Sequence, residues 1–174
     1  QKGGVGKTTT SVNLAASLAA IKRRVLLIDL DPQGNATMGS GVDKSDLDAS
    51  VYEVLVDGTT VTEARIDAES AGYDLIGSNV ELTGAEVELL SLDRREYRLK
   101  EALMTVQSQY DFIVIDCPPS LSLLTINGLV AADAAIIPMQ CEYYALEGLS
   151  ALMTTVGRIT ENLNPGLKIE GILR

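Results

Sequence analysis

Gln1-Lys2-Gly3-Gly4-Val5-Gly6-Lys7-Thr8 is the stretch that decides the fold. Its glycines let the backbone approach a polyphosphate and turn N–H groups onto the oxygens. The spacing Gly3-x-x-Gly6-Lys7-Thr8 follows the tail of the P-loop pattern, and Lys2 stands where that pattern begins with glycine. Lys7 then reaches the β- and γ-phosphates, and the Thr8 hydroxyl is a ligand for Mg²⁺. Such a loop links the end of a strand to the start of a helix.

Working outward, residues 8–21 carry Val12, Leu14, Ala15, Leu18, Ala19 and Ile21 on a helical face with small residues for close packing. The first turn of this helix aims its dipole at the phosphates. Residues 25–28 are an unbroken apolar run ending in Asp29, the pattern of a strand buried on both faces of a parallel sheet. Residues 112–115 repeat it and end in Asp116, the position of a carboxylate that holds a metal through water. Asp31 follows Asp29 by two, so in an extended segment both carboxylates point toward the phosphates. Further strands are predicted at 73–76, 134–138 and 169–173. Helices are predicted at 50–56, 61–66, 81–90, 94–107, 122–132 and 144–162, and residues 34–48 are read as loop. Strands alternating with helices give an α/β fold: a doubly wound, mostly parallel sheet flanked by helices, P-loop NTPase-like, with ligands at the carboxyl ends of the strands.

Three segments extend the pattern: Val25-Leu26-Leu27-Ile28-Asp29-Leu30-Asp31-Pro32-Gln33-Gly34-Asn35, Phe112-Ile113-Val114-Ile115-Asp116-Cys117-Pro118-Pro119-Ser120, and residues 137–149. With the loop KGGVGKT they resemble the deviant Walker A ATPases of the ParA/MinD family, and the ParA/Soj partition branch in particular. The resemblance is weakest across 42–100. It implies an ATP- and Mg²⁺-dependent ATPase in which Gly3, Gly4, Val5, Gly6, Lys7, Thr8 and Thr9 hold the nucleotide. Thr8 binds the metal and Asp116 does so through water. Asp31 belongs to switch I and positions the attacking water, and Asp29 supports the metal and loop network. Cys117-Pro118-Pro119-Ser120 is switch II, whose prolines stiffen the backbone. Lys2 is the signature lysine that crosses to the phosphates of a partner subunit.

The resemblance also implies a homodimer when ATP is bound, non-specific binding to duplex DNA, and stimulation by a ParB-type centromere-binding protein. The setting is then cytoplasmic and nucleoid-associated, and the task is chromosome or plasmid segregation. A membrane-associated division-site regulator of the MinD type is the alternative. A redox protein like the nitrogenase iron protein fits poorly, because Cys117 and Cys141 do not match its cluster pattern. A nucleotide-binding scaffold without turnover is the non-enzymatic reading. Two readings of Glu142 stand side by side, a nucleotide or partner contact and a surface carboxylate. Tyr143 and Tyr144 are read as core or interface residues.

Composition bounds these readings. A chain of 174 residues suits one domain. Two cysteines make no disulfide framework, and no apolar run reaches the roughly 18–20 residues of a membrane span. With no histidine, hydrolysis falls to carboxylates, lysines, backbone dipoles and metal. The net charge of −10 predicts weak DNA binding by this stretch alone. Lys22, Arg23 and Arg24 close the first helix, where cations favour its negative end. Arg94, Arg95, Arg98 and Lys100 read as a solvated helix face among Glu96 and Glu101. The expected organisation is a single P-loop ATPase domain over 1–174, lacking its first central strand and a C-terminal portion.

Overall fold

Val25–Asp29 forms β1, and all five of its residues are buried. The structure, a computed structural model, describes residues 4–139 and 145–173. Parallel partners flank β1: Tyr73–Ile76 (β3) on one edge and Phe112–Asp116 (β4) on the other, with Asp29 opposite Asp116 in register. The short strand Ile66–Ala68 (β2) runs antiparallel to β3, giving the order β2-β3-β1-β4. Ala134–Pro138 (β5) and Lys168–Leu173 (β6) form a separate parallel pair.

Alternation along β1 divides the core in two, because successive side chains face opposite sides of a sheet. Leu27 and Val25 pack with Leu75, Tyr73 and Ala15 of the helix Lys7–Ala20 (α1). The short helix Asn35–Gly39 (α2) adds Ala36 to the same side. Leu26 and Ile28 pack the other way, against Val51–Leu55 (α3), Val61–Ala64 (α4), Leu82–Glu88 (α5), Arg98–Met104 (α6) and Leu123–Ala131 (α7). A smaller cluster joins α7 to Ala145–Asn162 (α8) and Leu167, ahead of β6. Helices therefore cover both faces of a mostly parallel sheet, as the alternation of elements in the sequence predicts.

Local chemistry fixes several boundaries. Ser50 with Glu53 and Thr60 with Glu63 form capping boxes that start α3 and α4. Asn164 Nδ2 donates to the carbonyls of Leu129, Val130 and Ala132, tying the end of α7 to the turn before β6. Gly128 lets α7 close on the sheet, since a Cβ there would stand 2.8 Å from Cys117 Sγ and 3.2 Å from Leu30 Cδ1.

Five expectations are corrected. The segment 34–48 contains α2, held by contacts that arrive from β1. The helix expected over 61–66 stops at Ala64, and Ile66 begins β2. The helix expected from 94 begins at Arg98: Arg94 takes a left-handed φ of 53°, and Asn127 holds the Arg95 carbonyl and Leu99 N–H. Arg98 is no solvated residue, because its Nε donates to the Leu55 carbonyl at 2.8 Å and closes the end of α3. Finally, β4 is less buried than β1. Phe112 is 46% exposed, and among the described residues no strand pairs with the second edge of β4.

Candidate functional site

The carboxyl ends of β1 and β4 meet the N-terminus of α1. Gly4 and Gly6 hold left-handed φ angles of 83° and 87°, with nothing within 4 Å of where a Cβ would stand. Gly6 is the N-cap of α1 and offers no side chain to its first-turn N–H groups, which suits that end to an anion. Val5 and Gly6 are half-buried on the path into the helix, and Lys7 is its first residue. Thr9 is exposed in the first turn. It lines a groove of 360 Å³ along the outer side of α1 with Thr10, Asn13, Leu14, Ser17 and Leu173. Lys2, Gly3, Glu142, Tyr143 and Tyr144 lie outside the described residues.

Asp116 is fastened to α1 by both oxygens. Thr8 Oγ1 donates to its Oδ2 at 2.7 Å and Ser11 Oγ to its Oδ1 at 3.0 Å. Burial pushes the Asp116 carboxyl up from its ordinary value. The two hydroxyl bonds and the charge of Lys7 pull it back, and the charge of Asp31 adds to the rise. The sequence reading missed Ser11, although Thr8 and Ser11 are three residues apart and share one helix face.

Asp29 and Asp31 do not act as a matched pair. Asp29 is fully buried: its Oδ1 accepts the Asp31 N–H at 3.1 Å, and its Oδ2 accepts both the Thr37 N–H and the Thr37 hydroxyl at 2.8 Å. Burial drives its carboxyl up to about 6, against the pull of these donors and with help from the Asp116 charge. Asp31 lies beyond the end of β1, half-buried, with one oxygen accepting the Gln33 N–H at 3.0 Å. Asp29 thus anchors the loop, and Asp31 is carried by it. Pro118 is buried just after β4, and the neighbouring Cys117 thiol is pushed up to about 12 by burial and the Asp116 charge.

The donors gathered here are hard oxygens, from Thr8, Ser11 and two carboxylates. Among the described residues no three Asp, Glu, Cys or His side chains form a closed metal cage. That combination suits Mg²⁺, which keeps waters and takes phosphate oxygens alongside few protein ligands. No helix among the described residues is long and apolar enough to cross a membrane.

Comparison with known proteins agrees with this geometry. The AAA domain family AAA_31 matches residues 1–169. The chain is 56% identical to the sporulation initiation inhibitor protein Soj of Bacillus subtilis over 99% of its own length and 68% of Soj. It is 53% identical to the chromosome partitioning protein ParA of Myxococcus xanthus, over 99% of this chain and 61% of that one. A Mycobacterium smegmatis structure described as cobyrinic acid a,c-diamide synthase, solved with an ATP analog and magnesium, superposes with a TM-score of 0.94. It is 44% identical and the match covers 99% of this chain and 70% of that one. The chain thus spans about two thirds of the length of the curated relatives it matches, between 61% and 68% for these two. On the loop, the two strand-end carboxylates and these matches, the chain belongs to the ParA/Soj family of partitioning proteins, within the P-loop AAA-type ATPases.

Proposed function

We propose that the full-length protein is a Mg²⁺-dependent ATPase that works as a dimerisation switch, binds duplex DNA without sequence preference, and drives chromosome or plasmid segregation. The observation that carries the enzymatic part is the clamp of Asp116 on Thr8 and Ser11, which sets a carboxylate of β4 directly on the phosphate-loop helix. In this reading Gly4 and Gly6 turn backbone N–H groups onto the phosphates. Lys7 neutralises the β- and γ-oxygens, and Thr8 binds the metal with Asp116 behind a water. Mg²⁺, when bound, neutralises charge that develops on the phosphates. Asp31 orients the attacking water, and Lys2 of one subunit reaches the phosphates held by its partner. Pro118 stiffens the segment that senses the γ-phosphate.

The names of the relatives support the segregation role, and the structure solved with an ATP analog and magnesium supports the choice of ligand. A ParB-type protein is the expected stimulating partner, and the expected setting is the cytoplasm on the nucleoid. The domain reading is likewise a proposal: one P-loop domain whose first strand precedes Gln1 and fills the space between β4 and β5. In support, α1 touches both β4 and β5 while those two strands belong to separate sheets.

Asp31→Ala tests the chemistry. Turnover should fall about 100-fold or more, with ATP binding retained within about threefold because Asp31 makes its contribution after binding. A variant that hydrolyses ATP at the wild-type rate removes Asp31 from the reaction. A wild-type protein that binds no ATP overturns the whole reading.

A further inference from the structure

One carboxylate holds both ends of the loop that carries Asp31. Asp29 Oδ1 takes the N–H at the loop's start and Oδ2 the N–H of Thr37 at its close, at 3.1 and 2.8 Å. Inside the loop, Gly34 N–H turns back to the Asp31 carbonyl at 2.9 Å. Gly34 sits so close to β3's exit that a Cβ would stand 2.6 Å from the Ser78 carbonyl oxygen. Lys44 Nζ adds a bond to the Gln33 carbonyl at 2.8 Å.

The hydroxyl of Thr37 connects these pieces. It donates to Asp29 at 2.8 Å and accepts the Ser78 N–H at 2.9 Å, and Thr37 and Ser78 are fully buried. A side chain that held only its own short helix would have no reason to receive a bond from another strand's exit. This one joins the end of β1, the Asp31 loop and the end of β3 at a single atom. The neighbouring Gly77 carbonyl accepts the Val51 N–H at 2.8 Å, so the tie extends to the start of α3.

We propose that Thr37 is a positioning residue for ATP hydrolysis, its hydroxyl fixing the loop that presents Asp31 to the water. The inference rests on the role given to Asp31 above. Thr37 touches neither nucleotide nor metal in this account. Its removal should therefore slow turnover and leave binding almost unchanged, because a small misplacement of a reacting group costs rate steeply.

The test uses the full-length protein and three variants. Thr37→Val keeps the branched volume without the hydroxyl, Thr37→Ala loses both, and Thr37→Ser keeps the hydroxyl alone. Thermal melting reports folding, a fluorescent ATP analogue reports affinity, and steady-state kinetics separate kcat from KM. The expected result is kcat down about 10- to 100-fold for Val and Ala, with KM and affinity within about twofold, and Ser restored to within about twofold of wild type. Val turning over at the wild-type rate overturns the inference, as does Ser falling as far as Ala while folded. If Val or Ala fails to melt cooperatively, the Ser variant and the remaining hydroxyl-free variant decide. A wild-type protein without ATP turnover sinks the functional reading itself, an outcome distinct from an active wild type matched by an active Val variant.

Discussion

The largely apolar strands β1 (Val25–Asp29) and β5 (Ala134–Pro138) end in different states, and the partner of β5, the strand β6, carries Lys168 and Glu170 as well. Every residue of β1 is buried, whereas β6 has none buried and β5 only Ile137. The first region has helices on both faces and a partner on each edge of its central strand. The second rests on one small cluster with α7 and α8, and Ile136, Ile172 and Leu173 stand 45–48% exposed. Among the described residues β1 is covered on both faces and both edges while β5 and β6 are not, and composition adds to the contrast, since β6 holds two charged residues.

Core truncation gives the largest expected contrast. Leu27→Ala, fully buried in β1, should destabilise by about 3–4 kcal/mol in urea unfolding. Ile172→Ala, 47% exposed, should cost under about 1 kcal/mol in this 174-residue chain. Equal losses at the two positions would erase the difference between the regions.

Next comes a pH effect confined to the first region. The Asp29 carboxyl is raised to about 6 in the fold by burial, above the roughly 3.9 of an unfolded chain. Between those values the folded state holds the extra proton, so this group's stabilisation is full below about pH 4 and fades as pH rises toward 6. The loss amounts to about 3 kcal/mol from the size of the shift. Urea unfolding without nucleotide from pH 4 to 6.5 should show this decline in wild type and a shallower one in Asp29→Asn. Parallel slopes would show that Asp29 does not carry it.

The smallest effect sharpens the account of the sheet gap. Phe112→Ser should change stability by under about 1 kcal/mol in the 174-residue chain, where Phe112 is exposed. In the full-length protein it should cost about 2 kcal/mol or more if the strand proposed for the space between β4 and β5 covers it. The same small cost in both lengths would leave the gap unfilled.

Much of this was legible in the chain itself. The two apolar runs closed by Asp29 and Asp116 marked parallel strands, and Gly6-Lys7-Thr8 marked the helix whose N-terminus meets their carboxyl ends. What escaped depended on contacts from afar. The five-residue helix α2 has poor helix formers at Asn35, Thr37 and Gly39, and its anchor is a carboxylate eight residues upstream. β2 has three residues and gains its conformation only by pairing with β3. Arg98 looked like one member of a charged face until the Leu55 carbonyl claimed it. The two-residue spacing of Asp29 and Asp31 suggests carboxylates that point together at the phosphates, but the chain leaves the strand after Asp29, whose carboxylate accepts the Asp31 and Thr37 N–H groups instead.

Duplex-DNA binding by the full-length protein, at fixed moderate salt, tests the switch most directly. It should be measured with ATP, with ADP, and with ATP for Lys2→Ala. The account predicts tight binding with ATP, little with ADP and little for the variant, because in the proposed switch Lys2 of one subunit completes the nucleotide site of its partner. Binding that is equal with ATP and ADP, or unchanged by loss of Lys2, would contradict it.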